Sequence, residues 1–383
     1  MSDGTLQTLD VSMLDDVGTG ANELIQLDSN AKIPACSAAA LTGVSTVTKS
    51  ASDPTISTNP SGGVGTVWQN TTSGEMYICT DATAGANVWT NVGPGTGDVE
   101  PYVFQGSSYG YAQGGYGGSY VNIIEKWSLT ADGSASDVGD LTATRGYVAG
   151  ISSLTYGYTC GLTNIIDKFS FSAGGNAVDV GDLLASRDSP IGTHTEDWGY
   201  CIGGYGSVDN IEKISFSSDG NSVDQGNLTV GRSYAAGASS LTYGYVAGGQ
   251  TPNSDVIDKH AFANSNNATD VGNLLVVMLR NAGTSSTTHG YSHAGSADGG
   301  SNYNNVIQKW SFSSDGNSSD VANLTQARYG PNGVTSTTHG YCAGGKTGSY
   351  VNTIDKYSHS SDADASDVGD LTATRRGIAG AQY

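Results

Sequence analysis

The sequence predicts an all-β chain dominated by a six-bladed β-propeller, and three observations predict it. A Gly-Tyr pair recurs six times, at Gly110, Gly157, Gly199, Gly244, Gly290 and Gly340. The intervals are 47, 42, 45, 46 and 50 residues, with 44 residues from Gly340 to the end. A period of about 40–50 residues is that of propeller blades. The apolar runs within each copy are four to seven residues long, bounded by Gly, Asn, Asp and Ser, and show no helical period. That is strand and hairpin grammar.

The third copy serves as template. It reads Gly199-Tyr-Cys-Ile-Gly-Gly204, then Ile211-Glu-Lys-Ile-Ser-Phe216, then an Asp-Gly turn near Asp219, then Asp224-Gln-Gly-Asn-Leu228. Arg232 and a run of small residues, Tyr234 to Ser240, lead into the next Gly-Tyr. These are four strands per copy: B (Gly-Tyr), C (Ile-acid-Lys), D (Asp-x-Gly-Asp/Asn-Leu) and A (after the Arg). Asp-Gly suits a tight hairpin between C and D, because Gly tolerates positive φ. The first copy lacks a full A strand of its own, and the chain ends on one, Arg376 to Tyr383. The C-terminal strand can therefore complete the first blade and protect its edge. Pro101 to Ser107 competes for that slot.

Charged residues keep the same register. Arg145, Arg187, Arg232, Arg280, Arg328 and Arg375 follow the D strands, and Lys126, Lys168, Lys213, Lys259, Lys309 and Lys356 sit in the C strands. Together they are 12 of the 16 basic residues. A residue repeated in every blade reads as a blade-building part rather than a ligand ring. The expected partners of the arginines are the D-strand acids Asp137, Asp179, Asp224, Asp270, Asp320 and Asp367.

Glycine pairs at Gly114-Gly115, Gly203-Gly204, Gly248-Gly249 and Gly344-Gly345 end the B strands, with an aromatic-containing strand after them and an Arg before the next copy. This pattern resembles the kelch repeat over roughly residues 101–383. It departs from kelch in the second copy, which keeps only Gly161, in the fifth, which has Ala294-Gly295, and in lacking the late-blade Trp. The first hundred residues resemble something else. Asn22 to Ala35 with Ala40-Leu-Thr-Gly-Val44, and Gly65 to Thr80 ending in Asn87-Val-Trp-Thr-Asn-Val-Gly93, are similar to segments of bacteriophage tail-fibre proteins.

Three domains follow. Residues 1–60 are too polar and too broken by Gly and Pro for a compact core. The resemblance implies that they attach to other phage virion proteins and carry a homo-oligomeric, trimeric contact. Residues 61–97 read as a small β-hairpin module with Thr-Ser-Gly as turn and Trp68, Tyr77 and Trp89 as core. Residues 98–383 form the kelch-like propeller. The resemblance implies a virion appendage, made in the host cytoplasm.

Composition excludes other classes. The net charge is −20, from 36 acidic and 16 basic residues. Nucleic-acid binding requires clustered Lys and Arg, and a polybasic membrane anchor is excluded alike. No apolar stretch reaches the 18 or more residues of a membrane span, so no membrane insertion is expected. The five cysteines show no disulfide framework and no CxxC metal spacing.

No catalytic constellation emerges, so the chain is expected to be non-enzymatic, with no cofactor and no metal. His289 and His339 hold the place of Tyr109, Tyr156, Trp198 and Tyr243 before Gly-Tyr and read as blade residues. His194 lies near Glu196 and Asp197, a possible acid–base or metal cluster whose plainer reading is a polar turn. The Asp turns Ser217–Ser222 and Ser313–Ser318 lack the spaced carboxylates of a calcium loop.

The copies differ most in the loops between B and C, and alternating strand directions put these on one face with the D–A crossovers. These loops are rich in Tyr, Ser, Gly and Asn, the vocabulary of adaptable recognition surfaces. Tyr rings stack on sugars while neighbouring polar groups bind hydroxyls. Tyr116, Tyr120, Tyr205, Tyr303 and Tyr350 are therefore the candidate contacts for a host surface glycan or protein receptor. The alternatives are a purely structural virion component, such as a head fibre or a fibre-assembly propeller, and a glycan-active enzyme; the latter lacks a recognisable acid pair.

Overall fold

The computed structural model describes residues 47–92, 99, 102–299 and 301–383. Most of the attachment region expected at 1–60 lies outside the described residues. The chain divides into two compact units, Met1–Pro101 and Tyr102–Tyr383. Among the described residues there is no helix, and 28 strands form four-stranded sheets.

The first unit holds one sheet with strands in chain order: Thr48–Ser50, Val67–Asn70, Met76–Asp81 and Val88–Asn91. The first two pair in parallel and the others antiparallel. Tyr77, Cys79 and Trp89 are fully buried. Trp68 packs edge-on against Trp89 at 5.8 Å between ring centroids. The turn falls at Thr71–Gly74, where Asn70 Oδ1 accepts the N–H of Thr72 at 2.8 Å. The sheet reaches back to Thr48 rather than starting at residue 61. Trp68 Nε1 donates to the Ser52 carbonyl at 2.9 Å, and Asn87 Nδ2 donates to the Ile56 carbonyl at 2.7 Å. A three-residue polar strand carries no hydrophobic alternation, so nothing in its sequence marks it.

The second unit holds six four-stranded sheets. In the third, the A, B, C and D strands are Ile191–His194, Trp198–Gly204, Val208–Ser215 and Val223–Asn227. The other sheets repeat this order. In the first sheet the A strand is the C-terminal Ala379–Gln382, antiparallel to Tyr109–Gln113 with Ala381 opposite Tyr111. That pairing settles which segment fills the slot; residues 102–107 contribute no strand. The arrangement fits a β-propeller-like fold.

The Gly-Tyr motif has a packing cause in each half. The glycine faces a large C-strand residue: Gly110 pairs with Trp127, Gly157 with Phe169, Gly244 with His260, Gly290 with Trp310 and Gly340 with Tyr357. A Cβ on any of these glycines would fall inside the opposing ring. The tyrosine faces the neighbouring sheet. Tyr158 stacks on Phe216 at 4.9 Å, Tyr200 on Phe262 at 5.0 Å and Tyr245 on Phe312 at 4.8 Å. Each such pair contributes about 0.5–1.5 kcal/mol beyond its area burial. The repeat signature is thus an intersheet joint.

The inner A strands meet along a second glycine series. A Cβ on Gly192 would strike the Gly150 carbonyl oxygen; Gly237 would strike Gly192, Gly283 Gly237, Gly333 Gly283, Gly380 Gly333, and Gly150 Gly380. No other residue permits so close a backbone approach.

Most of the register charges are ion-paired, with two corrections. The buried arginines pair with C-strand acids, not with the D-strand Asp: Arg145 with Asp167 (2.5 Å), Arg232 with Asp258 (2.9 Å), Arg328 with Asp355 (3.1 Å), Arg375 with Glu125 (2.5 Å), and Arg187 with Glu212. All ten side chains are at most 3% exposed. Five of the six D-strand Asp, all but Asp320, instead accept a local N–H, as Asp137 does from Gly139 at 3.1 Å, beside an irregularity in the C–D register. The second correction concerns Arg280. Its expected place in the series is held by Met278, fully buried, and the place of the C-strand acid is held by the neutral Gln308. The C–D connection is also longer than a tight hairpin: residues 216–222 separate the two strands of the third sheet. Its Asp219 turns outward to accept Lys168 of the preceding sheet at 2.9 Å.

Candidate functional site

The D–A crossovers deliver one residue each to the head of an inner strand: Tyr147, Ser189, Tyr234, Arg280, Gly330 and Gly377. All are left-handed, with φ of 58°, 58°, 55°, 59°, 67° and 62°. Four of these six positions are not glycine, and a non-glycine residue held there costs on the order of 1 kcal/mol or more. Strain of this kind gathers at functional sites.

The B–C loops are tied to the crossovers by backbone hydrogen bonds. Tyr116 N–H donates to the Arg376 carbonyl at 2.8 Å, Tyr205 N–H to the Asp188 carbonyl at 2.8 Å, and Lys346 N–H to the Tyr329 carbonyl at 3.0 Å. The two loop sets therefore share a face, as alternating strand direction requires.

The structure brings four of the five sequence-predicted tyrosines into aromatic clusters. Tyr116 touches Tyr120 (5.3 Å) and Tyr350 (5.9 Å), and Tyr147 lies 6.3 Å from Tyr116 and 6.2 Å from Tyr120. Tyr303 stacks on Tyr329 at 5.0 Å and 21°. Tyr205 joins none of these ring contacts and is 58% exposed.

The middle of the face is held by residues that sequence reasoning missed: Tyr147, Tyr234, Tyr329, Arg280 and Arg376. They line a solvent-open cavity at the head of the inner strands. Arg280 lies over Tyr234 at 4.7 Å and Tyr329 at 5.6 Å. Arg376 lies over Tyr329 at 4.9 Å and Tyr147 at 5.5 Å, and also donates to the Tyr329 hydroxyl. Burial raises the hydroxyl pKa of Tyr147 and Tyr234, against a smaller opposing pull from the arginines, so both phenols stay protonated at neutral pH. One signal could have found Arg280. The buried arginines stand four residues after the D-strand Leu, as Arg232 does after Leu228, whereas Arg280 stands six after Leu274.

A second, smaller cavity lies along the later part of the same inner strands, and Phe104 and His194 help line it. Phe104 is buried there. Its carbonyl accepts Gln382 Nε2 at 3.1 Å and lies 3.4 Å from His194 Nε2. The sequence cluster of His194 with Glu196 and Asp197 is thereby split. His194 is buried inward, which lowers its pKa to about 4. Glu196 and Asp197 instead raise the pKa of Tyr102, behind the larger effect of burial. His289 and His339 each sit beside their own neighbour, Thr288 or Thr338, at 2.8 Å. Of the Asp turns weighed for calcium, Asp315 accepts Lys259 at 2.6 Å.

Compared with models of known protein families and with curated proteins, the chain matches none.

Proposed function

We propose that the chain is a non-enzymatic phage virion appendage whose second unit is a six-bladed, kelch-like β-propeller closed by its C-terminal strand. In this reading residues 1–60 attach to other virion proteins and carry a trimeric contact, and the propeller face recognises a host surface glycan or protein. The observation that carries it is the convergence of loop tyrosines and left-handed crossover residues around one cavity. Repeated blade parts hold the scaffold, while the unrepeated Tyr and Arg side chains gather on a single face. Propellers host many functions, so the argument rests on this face and not on the fold.

The test is binding of the labelled full-length chain to intact candidate host cells, with competition against phage adsorption. Saturable binding that blocks adsorption is the expected result. Incorporation of the chain into particles without cell binding would reassign the face to other virion proteins.

A further inference from the structure

We infer that the central cavity is a binding site for an acidic saccharide, gripped through a carboxylate by Arg280 and Arg376. This deepens the proposed recognition of a host surface and rests on it for its biological setting, but not for its chemistry.

The charge pattern is the first reason. The chain carries 36 acidic and 16 basic residues. Five arginines are spent in buried pairs with carboxylates. Among the described residues Arg280 and Arg376 have no carboxylate partner, and both face the same cavity. Their protein partners are neutral: Arg280 Nε donates to Gln250 Oε1 at 3.2 Å and Arg376 to the Tyr329 hydroxyl, so in a protein with acid to spare two guanidinium charges without a counter-ion stand at one opening. They approach one ring, Tyr329, at 5.6 and 4.9 Å, so a single sugar-sized ligand can meet both. Arg376 Nε is buried without a hydrogen-bond partner. Guanidinium groups match carboxylates in planar, two-pronged fashion.

The second reason is shape. The lining adds the half-buried rings of Tyr147 and Tyr234, which suit the apolar faces of a sugar. The third is strain. Arg280 occupies its place with φ of 59°, where two of the equivalent crossovers use glycine. The nearby acid Asp188 is engaged by the Ser189 hydroxyl at 2.6 Å and marks the rim where an anion is least welcome.

The test titrates the full-length chain with trigalacturonate and with sialyllactose, each beside its neutral methyl ester, by calorimetry or ligand-observed NMR. At least one acid should bind saturably, its ester at least tenfold more weakly, and affinity should fall with salt. Arg280→Gln and Arg376→Gln should each weaken binding tenfold or more with the melting curve unchanged. Arg280→Lys, which keeps the charge, should retain part of it. Asp188→Asn should bind as well or better. The inference is overturned if neither acid binds, if acid and ester bind alike, if the Gln variants bind as the parent does, or if glucose 1-phosphate is preferred to both acids. If a Gln variant melts early, the acid–ester comparison on the parent decides. Cell binding separates this from the wider reading. Gln variants that lose the sugar but still bind cells would sink the cavity assignment alone. Sugar binding without cell binding would sink the host-recognition reading alone.

Discussion

Five of the crossovers between neighbouring sheets carry a buried arginine on a C-strand carboxylate, and the remaining one carries buried Met278, with buried Gln308 in the acid's register position. The neutral junction is no looser. Gln308 Oε1 accepts the Val276 N–H at 3.1 Å and the Ser318 hydroxyl at 2.9 Å, and Nε2 donates to the Val276 carbonyl at 3.0 Å. At a charged junction the acid does the same work: Asp258 accepts the N–H and hydroxyl of Thr229 as well as Arg232. The difference teaches that the clamp is exchanged as a unit. Removing one member would strand a buried charge, and among the described residues each buried carboxylate of a clamp keeps its arginine. It also explains Arg280: with Met278 in the buried slot, the arginine two residues on is left to face the cavity.

The largest expected effect breaks the clamp in one half. Arg328→Met leaves Asp355 fully buried with its charge unmatched and should cost about 3–5 kcal/mol. Arg328→Met with Asp355→Gln copies the natural neutral junction and should recover most of that loss. Urea midpoints of the two singles and the double, combined as a cycle, measure the coupling. A double variant as unstable as the worse single would show that Met278–Gln308 depends on its own surroundings and is not a portable replacement.

The same comparison separates what was legible in the sequence from what was not. The Gly-Tyr period marked every sheet of the second unit, because its glycine and its ring serve two packing needs that recur at each joint. The tyrosine-bearing loops were legible because they break the repeat. Arg280 was hidden by the repeat itself: six arginines in rough register invite one role, and only the count from Leu274 tells them apart. The acid partner was misplaced because both the C and D strands carry an acid, and strand pairing rather than composition decides which one faces inward. Thr48–Ser50 left no signal, since a short polar edge strand is fixed by its neighbour, Val67–Asn70.

A position that never varies between copies should tolerate no substitution at all. Gly237 lies between Gly192 and Gly283 in the inner series, and a Cβ there would come within 2.3 Å of the Gly192 carbonyl oxygen and 2.8 Å of Ile191 Cγ2. Gly237→Ala should cost about 1–3 kcal/mol, because the nearest atom is a backbone carbonyl and not the end of a flexible side chain. The thermal midpoint measures it. A midpoint within a degree of the parent would mean that the inner strands have slack, and that the glycine series reflects something other than close approach.

The smallest effect belongs to a position that varies freely. Opposite the Gly-Tyr glycines the C strands carry Trp127, Phe169, Ile214, His260, Trp310 and Tyr357. Single exchanges are tolerated here because every occupant is a neutral bulky side chain, and His260 remains one only while uncharged. Its ring is buried 5.2 Å from Tyr200, with Nε2 3.3 Å from the Thr193 hydroxyl. Burial lowers its pKa to about 3, below the ordinary histidine value of about 6.5. The unfolded chain therefore binds the proton first as pH falls. The stability from keeping this ring neutral is complete above pH 6.5 and drains away toward pH 3, so at pH 5 its loss should be about 1–2 kcal/mol. His260→Phe, which copies the second sheet, should lie within about 1 kcal/mol of the parent at pH 7.5 and exceed it at pH 5. Urea midpoints at the two pH values give the result. Equal acid sensitivity in parent and variant would mean that the ring is charged or solvated in the fold, and that this position is less permissive than its occupants suggest.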